Sequence, residues 1–247
     1  MACTQPKPGP KRHIAGKAVL NALLARIPDS EFDAIKPHLQ FAVFNVGEYL
    51  ERAGGPISAA YFPNRGICSL LIETSGARSV EVGLAGSEEV IGLTLVGGVD
   101  RLPYNVVVQV PGEGFRVVSS TMKRIFALMP EFTRMLVRHL SIHAVEESQN
   151  TACNRLHSLE QRLARCLLML HDRLDTDEIN TTHDFLSKMI GADRTSVSLA
   201  VGNFEERGML TRRRGFINVR SRQVFEKESC ECYQVFKAFN PELGLRT

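Results

Sequence analysis

The chain has 247 residues, 44% apolar and 23% charged, which is enough for one large domain or two ordinary ones with buried cores. Its formal charge of +3 is too small to argue for a nucleic-acid partner by itself, and no run approaches the ~20 apolar residues of a membrane helix. The six cysteines are scattered and residues 1–17 lack the apolar core of a secretory peptide, so free thiols, a cytoplasmic location and no membrane partner are expected.

Residues 1–16, rich in Pro and Lys, read as a flexible arm, and residues 17–129 as a β-rich sensor domain with flanking helices. A short helix carrying Leu20, Leu23, Leu24 and Ile27 ends at Pro28, and residues 29–39 form a second helical stretch. From Phe41 to Val118 the signal changes to short strands. The runs at 41–46, 60–62, 67–72, 80–84, 105–110 and 115–118 are β-branched or aromatic, and glycines punctuate them. Many short strands without intervening long helices predict an antiparallel barrel, sandwich or roll.

Ser119 and Ser120 can cap a short helix, and Pro130 suits the first turn of the next. Nothing breaks that helix before Leu156, so residues 130–156 form a rod of roughly 40 Å at 1.5 Å per residue. Phe132, Leu136 and Leu140 lie near one side of it and predict the seam of a homodimer. The alternative is a long helix packed on its own β domain. Ser158 and Gln161 form a capping-box pattern that starts the last domain, residues 157–247.

Within that domain, residues 182–208 read as two short helices joined by a tight turn at Gly191. Thr182 caps the first, Asp193 caps the second, and Val197, Ala200, Val201 and Phe204 form the second helix's buried stripe. The opposite face presents Arg194, Thr195, Ser196, Ser198 and Leu199 near the helix N-terminus, the end a recognition helix offers to base edges in the major groove. Arg212, Arg213 and Arg214 follow on a β-hairpin wing, placed for sugar-phosphate contacts, and Thr182 completes the predicted DNA-binding set. Between residues 188 and 222 there are eight Lys/Arg against three acids, the local excess that phosphate neutralisation needs. A winged helix used only for protein contacts is the competing reading. The fold class is thus α+β: an N-terminal antiparallel β-roll, a long dimerisation helix and a C-terminal winged helix-turn-helix. The expected partners are double-stranded DNA and a second copy of the chain.

These features resemble the Crp/Fnr family of transcription regulators over nearly all the chain after the first ~20 residues. Gly47-Glu48, Ala59–Phe62 and Gly66 are similar to the family's early β-roll. Residues 191–198 resemble its recognition-helix entry, residues 214–217 its wing, and residues 229–233 the tail of one branch. The resemblance implies a cyclic-nucleotide-binding-like jelly roll, a homodimer on a near-palindromic site, and DNA-binding domains reoriented by an effector. For an activator it also implies contact with RNA polymerase. It places Leu93, Arg101, Tyr104, His143, Glu147 and Ser148 around the effector pocket.

Three departures qualify these implications. Leu93, Pro103 and Tyr104 stand where the family's phosphate-binding segment carries Glu, Arg and a small hydroxyl residue, so cyclic nucleotide is not expected. Arg101 could replace the missing Arg only in a loop two residues shorter. Thr195 and Leu199 replace Glu and Arg in the recognition helix, which predicts a different half-site. Cys3 stands alone where iron–sulfur sensors cluster cysteines, so no such cluster is expected.

No catalytic constellation is present, and no cofactor or metal is predicted. His139, His143 and Glu147 have helical metal spacing, but solvated or packed histidines are the commoner case. Cys230 and Cys232 would face opposite ways on a strand, with no second pair to complete a zinc site; thiol redox chemistry is the alternative for them.

Overall fold

The computed structural model describes residues 12–75, 79–174 and 176–239. A hairpin of β1 (His13–Ile14) and β2 (Lys17–Ala18) comes first. It corrects the expected arm over residues 12–16; residues 1–11 lie outside the described residues. Arg12 is buried and donates to the carbonyls of Leu24 (2.7 Å) and Ile27 (2.5 Å) and to Asp29 (2.8 Å). Helices α1 (Ala22–Arg26) and α2 (Asp29–Ile35) meet at Pro28, whose fixed φ and missing donor prevent one continuous helix. Asn21 caps α1, which leaves Leu20 ahead of the helix and 48% exposed rather than on its buried face.

Five strands build the β-roll: β3 (Gln40–Phe44), β4 (Tyr49–Glu51), β5 (Ala59–Glu73), β6 (Ser79–Ala85) and β7 (Asn105–Val118). Their antiparallel order is β3-β7-β5-β6, with β4 also on β7. The sequence splits β5 and β7 each into two short strands, but both are single bent strands paired along their length. Glycine permits the bend through close approach rather than through a loop. Gly66 takes φ +92°, and a Cβ on Gly112 would sit 2.0 Å from the carbonyl oxygen of Arg65. Phe62, Phe115 and Val117 line the inner face and pack with Leu24, Ile27 and Ile35 of the flanking helices.

After β7 the chain turns directly into α3 (Ser119–Ile125); the two serines are its first residues, and neither side chain caps it. Helix α4 (Pro130–Leu156) is the expected long rod. Its first backbone N–H groups are satisfied from far away: Glu31 of α2 accepts from Glu131 N and Phe132 N, both at 2.8 Å. The proposed seam is corrected. Phe132 and Leu136 are 0% and 1% exposed within the chain's own β-roll core, and Leu140 packs against the same core. Phe132 stacks at a tilt on Phe62, with ring centres 6.2 Å apart. The stripe faces inward because the roll itself supplies the apolar partner. The side of α4 turned away from the roll leaves Val137 and Val145 exposed.

The last domain begins at the predicted capping box, in which Ser158 and Gln161 bond reciprocally at the start of α5 (Leu159–Arg173). It continues through β8 (Glu178–Asn180), α6 (His183–Ile190), α7 (Arg194–Glu206), β9 (Leu210–Arg213), β10 (Phe216–Val219), α8 (Arg222–Glu228) and α9 (Cys232–Phe239). The wing is a three-stranded sheet of order β8-β10-β9, with β8 an edge strand too short to stand out in the sequence. Leu163, Leu167, Leu186, Val197, Val201 and Phe204 form the second core, and Ile67 and Leu84 of the roll join it. The two domains therefore share a packed boundary, with α6 against β6.

Candidate DNA-binding face and ligand cavity

The helix-turn-helix is locked by its caps. Thr182 accepts from Phe185 N, Asp193 accepts from Ser196 N, and Gly191 ends α6 at φ 60°. Burial of Val197, Val201 and Phe204 fixes the rotation of α7 and turns Arg194, Thr195 and Leu199 outward, Leu199 at 66% exposed. An apolar side chain this exposed at a helix N-terminus suits contact with a thymine methyl group. Ser196 spends its hydroxyl on Asp193 (2.6 Å), and Ser198 bonds the Arg194 carbonyl (2.9 Å) and His183 Nδ1 (2.7 Å). Those two serines shape the helix end more than they project from it.

Between α6, α7 and the wing lies a cleft of about 450 Å³ lined by Thr182, His183, Arg194 and Arg212–214. Burial, followed by the charges of Arg212 and Arg194, pushes the His183 pKa down, which favours the neutral ring bonded to Ser198. The wing arginines are not equivalent. Arg212 pairs with Glu205 at 2.6 Å and Arg213 with Glu178, whereas Arg214 is exposed beside the Gly215 turn. All four arginines of the cleft can meet phosphate, but Arg212 and Arg213 do so by sharing or exchanging an existing partner.

A second concavity, about 500 Å³, lies between the roll and α4. Leu70, Ile72, Val82, Leu84, Val90 and Val106 make most of its wall apolar, and among the described residues no lysine or arginine lines it. Of the expected pocket residues, Leu93, Tyr104, His143 and Glu147 line it and Pro103 borders it. Arg101 and Ser148 do not. Arg101 turns away to the Gly54 carbonyl (2.8 Å), and Ser148 bonds the Ala144 carbonyl (2.8 Å) on the exposed side of α4.

The polar corner of the cavity centres on a residue that sequence reasoning missed. Glu89 is buried and lies 2.8 Å from Nε2 of both His139 and His143. The partner of the two histidines is thus Glu89 from across the chain rather than Glu147 one turn on. Burial disfavours charge on Glu89, yet His143 and His139 outweigh it and hold the carboxylate well below its usual range. Burial likewise opposes charge on His143, but Glu89 prevails and raises its pKa to about 9. Burial raises Tyr104 to about 12, with Glu147 and Glu89 adding to the effect. No motif marked Glu89; the i, i+4 histidines were the only available hint.

At the domain boundary Arg173 of α5 meets Glu88 of the roll at 2.6 Å, and Glu81 accepts from Ser69 Oγ at 2.5 Å. Burial raises the Glu81 pKa to about 8 against the lowering effects of Ser69, Arg173 and Arg165. At the far end of α4, Cys153 and His157 meet Cys230 and Cys232, with all four candidate ligand atoms within 4.8 Å of one another. This corrects the expectation that the Cys230/Cys232 pair has no second pair. The two cysteines flank a helix start rather than alternate along a strand, so both face α4.

Residues 161–227 match the family model of the Crp-like helix-turn-helix domain. The fold matches FixK2 from Bradyrhizobium japonicum at TM-score 0.69 and 15% identity, covering 78% of this chain and 98% of that one. It matches CLP, the c-di-GMP-responsive regulator of Xanthomonas campestris, at TM-score 0.64 and 16% identity, over 78% and 100% of the two chains. TTHA1359, a Crp/Fnr-family regulator of Thermus thermophilus, matches at TM-score 0.64 and 19% identity, over 77% and 98%. No curated protein matches the chain in sequence. The C-terminal domain thus contains a Crp-like helix-turn-helix domain. With the β-roll and long helix before it, the chain has the fold of the Crp/Fnr-family regulators that it matches. None of its described helices is long and apolar enough to cross a membrane.

Proposed function

We propose that this chain acts as a cytoplasmic homodimer on a near-palindromic DNA site, gated by a small, uncharged and largely apolar effector. The observation that carries the reading is the pairing of an outward Arg194–Thr195–Leu199 face with a four-arginine cleft, at one end of a chain whose other domain holds an apolar cavity. Arg194 and Leu199 would read bases, and Arg214, aided by Arg212 and Arg213, would grip phosphates. Two-fold symmetry of the dimer would be mirrored in the operator. An exposed line of Val137, Ser141, Ala144 and Ser148 recurs at intervals of four, three and four residues on α4 and would form the seam in place of Phe132, Leu136 and Leu140. Where the protein activates, RNA polymerase would be a further partner.

The cavity argues for an effector without a phosphate. A cyclic phosphate needs a cationic fork, and among the described residues the cavity offers the carboxylates of Glu89 and Glu147, His143 already bound to Glu89, and the hydroxyls of Thr94 and Tyr104. A ligand seated there would touch both the roll and α4 next to the residues that meet α5. It could therefore shift the DNA-binding domains through the boundary at Arg173 and Glu88. Selection from random duplexes, followed by stoichiometry on the recovered sequence, tests the first half: two chains on an inverted repeat are expected, and one chain on an asymmetric site would refute it. Calorimetry with cyclic AMP and cyclic GMP tests the second. Neither should bind at millimolar concentration; saturable micromolar binding would overturn the phosphate-free effector.

A further inference from the structure

The most concentrated set of soft ligands in the described chain lies at the joint between the long helix and the C-terminal tail, away from both the DNA face and the cavity. Cys153 and His157 stand one turn apart near the end of α4. Cys230 and Cys232 straddle the start of α9. The three sulfurs are buried, and His157 is partly buried. We propose that Cys153, His157, Cys230 and Cys232 form a tetrahedral zinc site that fastens the DNA-binding domain to the dimerisation helix.

The distances carry the proposal. Zinc bonds of about 2.3 Å to sulfur and 2.0–2.1 Å to imidazole nitrogen require sulfur–sulfur and sulfur–nitrogen edges of roughly 3.5–3.8 Å. Cys153 Sγ and Cys230 Sγ are 3.5 Å apart, and Cys232 Sγ and His157 Nδ1 are 3.6 Å apart. All other pairs lie within 4.8 Å, so closing the site needs a contraction of about 1 Å at most. A cluster of several irons would need more room between its ligands than these sulfurs leave.

The surroundings point the same way. A metal-bound histidine usually donates its second ring N–H to a carboxylate, which fixes the tautomer. His157 Nε2 lies 3.2 Å from Glu231 Oε1, leaving Nδ1 to face the sulfurs. Gln149 donates to Cys232 Sγ at 3.0 Å, the kind of N–H···S contact that steadies a thiolate. Three thiolates and a neutral imidazole around Zn²⁺ leave one net negative charge, and the guanidinium of Arg165 acts on Cys153 to offset it. Binding would release the protons of the three thiols to solvent.

The consequence is mechanical. Two ligands come from the end of α4 and its capping residue, and two from the start of α9, the last described helix of the C-terminal domain. The metal would close a loop of some 75 residues around the whole winged domain, consistent with the 77-residue separation of Cys153 and Cys230. It would restrict how far that domain can swing.

The test uses the full-length protein purified without a metal-affinity tag. Elemental analysis should find zinc in one-to-one ratio to chain, and exchange with Co²⁺ should give the intense visible bands and thiolate-to-metal charge transfer of a tetrahedral sulfur-rich site. Cys230→Ser and His157→Gln should each lower zinc retention against a chelator at least tenfold. Glu231→Gln, at an exposed position, should keep the metal but weaken it about 10–100-fold, as loss of an outer-shell partner does. Chelation should expose residues 156–158 to protease. Absence of zinc with no cobalt spectrum in the wild-type chain would overturn the proposal, whatever the variants do. So would a non-reduced peptide map of the native protein showing a Cys153–Cys230 disulfide, or cobalt bands unchanged by Cys230→Ser.

Discussion

Arg173 and Glu88 join the two domains through a buried ion pair: Nε lies 2.6 Å from Oε1, and the side chains are 5% and 2% exposed. Glu88 belongs to the roll beside the cavity, and Arg173 is the last residue of α5. Removing one partner leaves the other charge buried without compensation, which typically costs about 3–5 kcal/mol. Glu88→Gln should therefore loosen the docking of the C-terminal domain. Hydrogen exchange should rise along β6 and α6 while the roll core stays protected. Unchanged exchange at that boundary would remove the pair from interdomain coupling.

The pH dependence of stability follows from two buried groups. The folded-state pKa of His143 is about 9 against an ordinary 6.5, so its contribution is complete below pH 6.5 and is lost as pH rises to 9. For Glu81 the values are about 8 against 4.5, so the protonated form stabilises the fold and that stability drains away between pH 4.5 and 8. Glu89 acts oppositely: its depressed pKa gives stability that is lost as pH falls below 4.5. From these three groups stability should peak near pH 4.5, fall gradually to 6.5, and fall most steeply from 6.5 to 8, where the folded chain holds both protons that the unfolded chain has lost. The slope there should be on the order of 1 kcal/mol per pH unit for each group. Glu81→Gln keeps a neutral partner for Ser69 and should flatten that slope. An unchanged slope by denaturant titration at several pH values would refute the assignment.

Two sides of α4 should respond differently to charge. Leu136, 1% exposed in the roll core, should cost about 2–5 kcal/mol when truncated to Ala, with the association state of the folded fraction unchanged. Val137, 49% exposed, and Ser141 lie on the outer line. Val137→Glu combined with Ser141→Glu should leave the chain folded but monomeric by light scattering. A dimer surviving that double change would place the seam elsewhere.

Glu31 should behave as a long-range cap. It accepts from Glu131 N and Phe132 N at 2.8 Å each, so Glu31→Ala would orphan one buried and one part-buried donor. A loss of about 1–2 kcal/mol is expected, at the upper end for a cap. An effect below a few tenths would mean that water replaces the carboxylate at no cost.

Local rules made much of this molecule legible. Thr182, Asp193, Ser158 with Gln161, and Gly191 act through residues within a few positions, so their caps can be read from the sequence and recur in the structure. Phe132 and Leu136 show where such reading ends. Periodicity locates an apolar stripe but does not say whether its partner is a second copy or the chain's own sheet. The bends at Gly66 and Gly112 look like turns because glycine serves both purposes, and only the opposing strand distinguishes them. Glu89 with His143, and Cys153 with Cys230, are separated by 54 and 77 residues, and no local spacing links them. The wing arginines were visible, but the carboxylates paired with Arg212 and Arg213 were not.

The central claim is that α7 reads base pairs while the wing grips the backbone, and salt titration of variants on a selected site tests it most directly. Arg194→Ala should cost about 1–3 kcal/mol on that site and relax the preference at one base pair per half-site. Arg214→Ala should weaken all sequences alike and reduce the salt slope by about one unit per subunit. Arg213→Ala should do less, because Glu178 already neutralises part of its charge. If Arg194→Ala leaves both affinity and base preference intact, α7 does not read the site and the account fails.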